Sequence, residues 1–251
     1  MPPSTGLRAR VRAELIGEIK DEARRQLAAA GAPGLSLRAV TRALGMASSG
    51  IYRYFPSRDD LLTALIIDAY DALGRAAEDA DARCARVDVE GRWRSVGHAV
   101  RDWALSSPHE YALVYGSPVP GYRAPEDTIG PASRVTLVMA GVVHDAYRAG
   151  SLAHLPELGG LPPVPEAVVL ETRQLIELAL PGVPPEVALR ALTAWTQLFG
   201  MVSFELFGQF NNVIADAGPV FDRSLVEMGR YVGLSPSAPE VRVADTTAID
   251  A

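Results

Sequence analysis

The residues with most chemistry to offer lie in one run, Leu35-Ser-Leu-Arg-Ala-Val-Thr-Arg-Ala-Leu-Gly-Met-Ala-Ser-Ser-Gly-Ile-Tyr-Arg-Tyr-Phe55. Ser48, Ser49, Gly50, Arg53 and Tyr54 combine small, hydroxyl-bearing and cationic groups within seven positions. Such groups donate to and accept from base edges, so their chemistry is recognition in a DNA major groove rather than bond-making. Ser36, Tyr52 and Arg58 suit phosphate instead, because Ser36 and Arg58 fall at helix N-termini that already favour anions.

Two short helices must present these side chains. Ser36 is placed to cap the first, in which Leu37, Val40 and Leu44 share one face. Gly45 sits where the chain must leave that helix through a left-handed conformation, and Met46 plugs the turn. The second helix is expected to follow Ser48, with Ile51, Tyr52 and Phe55 supplying apolar contacts and Ser48, Ser49, Gly50, Arg53 and Tyr54 facing out. Pro56 ends it, and Ser57-Arg-Asp-Asp60 is a capping pattern that opens a long helix carrying Leu61, Leu62, Leu65, Ile66, Ala69 and Leu73. The build is that of a helix-turn-helix.

No pattern for catalysis accompanies this one. The chain has no Gly-x-Ser-x-Gly elbow, no phosphate-cradling lysine loop and no His-Glu-x-x-His helix, so no catalytic residue is assigned. His98, His109, His144 and His154 lack ligand spacing on any single helix, and neither a metal nor another cofactor is expected. Asp59-Asp60 and Glu126-Asp127 fall at helix starts, where the macrodipole accounts for them. Cys84 is the sole cysteine, which excludes an intrachain disulfide and fits a reducing, cytoplasmic setting.

The overall charge of −6 argues against nucleic acid until it is mapped. Residues 1–58 hold ten basic and four acidic side chains, whereas the remainder holds fourteen basic and twenty-six acidic. A cationic head on an acidic body attracts phosphate at one end only. No charged-then-apolar leader opens the sequence, and the most hydrophobic stretch, Leu198 to Phe210, is too short to span a bilayer and contains Glu205.

Helical spacing persists along the whole chain. Val11, Leu15, Ile19, Ala23 and Leu27 place a first helix at about Leu7–Ala30, and the long helix from Ser57 is expected to reach about Ala85. Trp93 to Ala104, His109 to Tyr115, Pro131 to Ala146, Val164 to Leu180, Pro185 to Phe210 and Pro219 to Val232 follow as helices. The proline- and glycine-rich stretches 116–125 and 150–163 separate them as loops. Apolar residues cover most of the circumference of the Pro185 helix, which implies burial against its own domain on one side and a second subunit on the other. The expected architecture is all-α, with a three-helix head (residues 1–56), a larger helical body for ligand binding and dimerisation (57–234) and a flexible tail (235–251).

Ser36-Leu-Arg through Ile51-Tyr-Arg-Tyr-Phe-Pro-Ser-Arg-Asp-Asp-Leu-Leu62 resembles the N-terminal domain of the tetracycline-repressor (TetR) family of bacterial transcription regulators. The match implies that Arg38, beside Ser48, Ser49, Arg53 and Tyr54, contacts bases. A second stretch, Trp103 to Tyr122 with Ala194-Trp-Thr-Gln-Leu-Phe-Gly200, resembles the regulatory domain of members carrying a Trp-x-x-x-x-Gly motif, although Phe199 replaces the histidine often found before that glycine. Trp103, Tyr111, Tyr115, Met139, Trp195 and Phe199 are read on that basis as the wall of a small-molecule pocket, with residues 116–130 as its rim and Arg123 or Arg134 available to a carboxylate. The resemblance therefore implies a homodimeric repressor of double-stranded operator DNA, released by a largely apolar effector, with no membrane partner. The alternatives are a DNA-binding regulator without an effector, and an enzyme or scaffold keeping the same helical architecture.

Overall fold

The computed structural model describes residues 4–47, 49–152 and 164–234, and within them every regular element is helical. The order is α1 (Ser4–Ala30), α2 (Leu37–Ala43), α3 (Arg58–Ala82), α4 (Val89–Ser106), α5 (Pro108–Tyr115), α6 (Ile129–Arg148), α7 (Glu166–Ala179), α8 (Pro185–Leu206) and α9 (Ala217–Val232). Short 3-10 turns lie at Ala32–Gly34, Ile51–Arg53 and Glu126–Thr128. None of these helices is long and apolar enough to cross a membrane.

Two apolar clusters organise the chain, and α3 belongs to both. Leu61, Leu62, Leu65 and Ile66 join Ile19, Ala23, Leu27, Leu37, Val40, Ile51 and Phe55 in the head. Two turns on, Leu73 and Ala77 join Trp93, Val96, Val100, Met139, Val142, Leu198, Val202, Phe221 and Leu225 in the body. At 25 residues, α3 is about 37 Å long, enough for a rigid connection between the clusters. Ser57 caps it as the sequence suggests, accepting from the Asp60 N–H at 3.1 Å.

The body closes around α4. Gly97 lets α9 approach so tightly that a methyl group there would meet the Leu225 side chain at 2.4 Å. Trp93 donates from Nε1 to the Leu225 carbonyl at 3.1 Å across the same contact. One residue before Trp93, the fully buried Arg92 bonds Asp81 on α3 at 2.7 Å and Asp145 on α6 at 2.9 Å, joining three helices through one guanidinium.

Several boundaries depart from expectation. The first turns of α1 stand clear of the core, with Leu7 and Val11 64% and 53% exposed, because Tyr54 borders them without covering them. The expected second helix of the helix-turn-helix is only a helical turn at Ile51–Arg53. Ser49 and Gly50 are poor helix formers and Pro56 stops the chain five residues after Ile51, leaving room for mixed bonds only: Tyr54 and Phe55 both donate to the Ile51 carbonyl at 2.9 Å. The α6 helix starts at Ile129, two residues before Pro131, and α8 ends at Leu206, where Gly208 turns the chain with φ of 80°. Residues 153–163, with His154, and the expected tail at 235–251 lie outside the described residues.

Candidate nucleic-acid interface and internal cavity

The helix-turn-helix is held from beneath so that its upper face is free. Ser36 accepts from the Ala39 N–H at 3.4 Å, α2 buries Leu37, Val40 and Thr41, and Gly45 makes the turn at φ of 63°. Arg38 and Arg42, four residues apart on the opposite side of α2, are exposed. Ser49 and Arg53 are exposed as well, and Gly50 is half-buried because the Ala47 carbonyl lies beside it. Ser48 lies outside the described residues.

The two tyrosines exchange the places expected of them. Tyr52 is 49% exposed, whereas Tyr54 packs against the head cluster beneath Arg12, whose guanidinium stands 5.0 Å from the ring centre. A single helical turn points residues 52 and 53 outward together, and 54 then falls back over α1. Arg12 also donates to the Arg53 carbonyl at 3.4 Å, so the start of α1 adjoins the turn that carries the outward residues.

Charge pairing divides the head's ten basic groups. Lys20 and Arg24 bond Asp68 of α3, both at 2.8 Å, Arg24 also reaches Glu110 of α5 at 3.0 Å, and Arg25 holds Glu22. Arg8, Arg10, Arg38, Arg42 and Arg53 make no ion pair among the described residues. The unneutralised cations are thus concentrated near the helix-turn-helix, whereas Lys20 and Arg24 face the body. Sequence reasoning misses Arg42, although its spacing from Arg38 already places both on one helix face.

Arg58, expected on phosphate, is spent inside the protein. Its Nε donates to the Leu35 carbonyl at 3.1 Å, one terminal nitrogen to the Ala32 carbonyl at 2.7 Å and the other to Asp59 at 3.3 Å. A cation at a helix N-terminus opposes the macrodipole, and these acceptors offset that cost. Arg58 therefore ties the start of α3 to the loop before α2.

In the body, the six aromatic and apolar residues expected to line one pocket separate into two groups. Tyr111, Tyr115 and Phe199 stack into a solid wall, with ring centres 5.1 Å apart for the tyrosines and 4.3 Å apart for Tyr115 and Phe199. Tyr111 is fully buried, donates to the Phe199 carbonyl at 3.2 Å and shares a 2.9 Å hydrogen bond with Ser203. Burial raises the hydroxyl pKa of Tyr111, Tyr115 and Tyr70 above the ordinary phenol value, so these groups are neutral hydrogen-bonding partners. Trp103 is partly buried against the body core.

Met139 and Trp195 border a partly open apolar cavity. It measures about 240 Å³ between α6, α7 and α8, with Trp93, Leu175, Leu180 and Leu192 among its walls. The Trp195 ring lies 5.3 Å from Phe199, so the solid wall backs the cavity. The buried Trp195 Nε1 has no hydrogen-bond acceptor.

The loop after α5 forms a second and more open feature. It packs Val119 and Tyr122 on the head cluster, and Tyr122 shares a 2.8 Å hydrogen bond with Thr63 of α3. This loop borders clefts facing the head rather than the cavity between α6 and α8. Arg134, expected to be available to an anionic ligand, instead holds Asp71 at 2.7 Å and Glu78 at 2.6 Å, and Glu78 is kept below the ordinary carboxylate pKa chiefly by that bond. Among the described residues no group of acidic, histidine or cysteine side chains is arranged to hold a metal.

Residues 19–65 match the family described as bacterial regulatory proteins, tetR family, and residues 93–228 match the Tetracyclin repressor-like, C-terminal domain. The HTH-type transcriptional regulators Mb1846 of Mycobacterium bovis and Rv1816 of Mycobacterium tuberculosis are each 41% identical over 225 residues, covering 86% of this chain and 92% of theirs. The crystal structure of regulatory protein SCO4313 superposes with a TM-score of 0.71 at 35% identity, over 88% of this chain and 97% of that one. The TetR family transcriptional regulator PfmR from Thermus thermophilus, at 17% identity and a TM-score of 0.54 over 84% of this chain and 97% of its own, shares the fold.

Proposed function

The chain belongs to the tetR family of bacterial regulatory proteins and is a DNA-binding transcriptional regulator, and from that premise we propose that it is a homodimeric repressor released from its operator by a small molecule. The observation that carries this reading is the concentration of unpaired arginines near the helix-turn-helix, on a body with an excess of acidic groups. Arg38, Ser49, Gly50 and Arg53, with Ser48, address base edges. Ser36, Tyr52 and Arg42 address phosphates, while Tyr54 and Arg58 hold that surface in place.

Dimerisation runs through α8 and α9. Phe204, Phe207 and Val220 are 52%, 44% and 40% exposed on or beside these helices, and apolar groups of that size find a better environment against a second copy than in water. Two heads then reach half-sites about one DNA turn, roughly 34–36 Å, apart.

The effector enters the cavity beside Met139 and Trp195. Trp195-Thr-Gln-Leu-Phe-Gly200 supports placement in the Trp-x-x-x-x-Gly subgroup. The division at residues 56 and 57 assigns DNA reading to the head and ligand binding to the body; the protein works in the cytoplasm, without a cofactor and without catalysis. A ligand acts only by binding one arrangement of the two heads better than another, and about 1–3 kcal/mol of such preference shifts operator affinity roughly fivefold to 150-fold. The test is operator binding by fluorescence anisotropy across a metabolite panel. Release by one compound supports the repressor reading, and unchanged affinity across the panel contradicts an effector.

A further inference from the structure

We infer that the first turns of α1 form a second DNA contact, in which Arg8 takes a backbone phosphate at the edge of the groove addressed by the Ile51–Arg53 turn, and Leu7 and Val11 lie against the adjoining deoxyribose. The inference rests on DNA recognition by the helix-turn-helix and adds a contact outside that motif.

The start of α1 is fixed beside the reading surface. The Arg12 guanidinium stands 5.0 Å from the Tyr54 ring centre and donates to the Arg53 carbonyl at 3.4 Å, so α1 abuts the turn that points Tyr52 and Arg53 outward. Arg12 is thus a positioning residue. Arg8 lies four residues earlier, on the same side of α1 and about 6 Å farther along its axis. A major groove is only about 12 Å wide, so a helix flanking the inserted turn meets the strand that bounds the groove rather than the base edges inside it.

The surface there has the chemistry of that strand's complement. Leu7, Arg8, Val11, Arg12 and Tyr54 border one open hollow, with Leu7 and Val11 64% and 53% exposed. Arg8 is exposed and makes neither an ion pair nor a hydrogen bond among the described residues. Residues 1–13 carry three arginines and no carboxylate, whereas farther along the same helix Lys20 and Arg24 are both bonded to Asp68. A sugar–phosphate strand alternates an anionic group with an apolar ring, and this hollow places an unpaired cation beside exposed hydrocarbon.

The contact is with the backbone and carries no sequence information of its own. It adds affinity and fixes the angle at which each head meets the duplex.

The test compares the full-length protein with Arg8→Ala, Arg8→Lys and Leu7→Ser. Binding is measured by fluorescence anisotropy, over a range of salt, on a duplex that the parent enriches from a random pool and on a random duplex of equal length. Arg8→Ala should flatten the dependence of log affinity on log salt by about 0.9 for each bound head, on both duplexes alike. Over the decade from 1 M to 0.1 M salt, that slope corresponds to about an eightfold loss per head. Arg8→Lys should keep the parent's slope, and Leu7→Ser should weaken binding about twofold to fourfold with the slope unchanged. Hydroxyl-radical footprinting should show Arg8→Ala losing protection at the outer edge of each half-site, and its thermal midpoint should match the parent's because Arg8 bonds nothing among the described residues.

An unchanged slope and footprint for Arg8→Ala would overturn the inference. So would a lowered thermal midpoint or an altered base preference, which would assign Arg8 to folding or to base reading. Loss of self-association in sedimentation with DNA binding intact would make the hollow an interface between copies and overturn it as well. Failure of the parent to bind either duplex would instead contradict DNA recognition itself, which separates the two outcomes.

Discussion

Arg24 on α1 bonds Glu110 on α5 at 3.0 Å, and this pair joins the DNA-binding head to the body without passing through α3. The residue after Glu110 is Tyr111, which is bonded to the Phe199 carbonyl and to Ser203 on α8. The head and α8 are therefore connected through α5 by polar contacts. The Thr63–Tyr122 hydrogen bond adds a contact between α3 and the loop after α5.

A double-mutant cycle of Arg24→Gln and Glu110→Gln, read by urea unfolding, should give a coupling energy of about 0.2–1 kcal/mol, since the pair is only partly buried. A coupling of zero would remove this link from the account.

Arg42 and Arg58 should behave differently although both are cations of the head. Arg42→Ala should weaken every DNA sequence alike and flatten the dependence of log affinity on log salt by about 0.9, the contribution of one phosphate. Arg58→Ala should leave that slope unchanged and instead destabilise the head by roughly 1–3 kcal/mol, because the Ala32 and Leu35 carbonyls lose their donor. A changed salt slope for Arg58→Ala would return it to the DNA surface.

The bond between Glu78 and Arg134 ties α3 to α6 and predicts a specific acid dependence. Because Arg134 lowers the Glu78 pKa in the folded state, the stabilisation is complete above the ordinary glutamate value, about pH 4.3, and is lost as pH falls through the lower folded value. Glu78→Gln should therefore be less stable than the parent at neutral pH, by less than about 1 kcal/mol given the exposure of the pair, and the difference should vanish in acid. A difference that persists in acid would assign the effect to packing.

Phe204→Glu should convert the protein to monomers at micromolar concentration in sedimentation velocity and cost most of the operator affinity, with the helical circular-dichroism spectrum kept. Unchanged dimers would move the interface away from this part of α8.

The sequence reveals the elements whose signals are local. Ser36 and Ser57 caps, the left-handed Gly45 and the apolar spacing of α3 each depend on a few neighbouring residues, and the structure bears all of them out. What it conceals depends on contacts between distant positions. Nothing around Arg58 signals that carbonyls 23 and 26 residues earlier consume its donors. Helical spacing likewise gives Tyr111, Tyr115 and Phe199 as apolar faces but cannot distinguish rings that stack on one another from rings that border a space. The alternation of Tyr52 and Tyr54 escapes a reading that assumes a regular α-helix where Ser49, Gly50 and Pro56 allow one turn.

The central claim is that this head reads a defined DNA sequence through Arg38 and its neighbours. It is tested most directly by sequencing the double-stranded DNA that the purified protein retains from a random pool, in parallel with Arg38→Ala. The account predicts an enriched inverted repeat for the parent, and for Arg38→Ala the same repeat with preference lost at one base pair of each half-site, worth about 1–3 kcal/mol. No enriched sequence for the parent, or an identical preference in the variant, would contradict it.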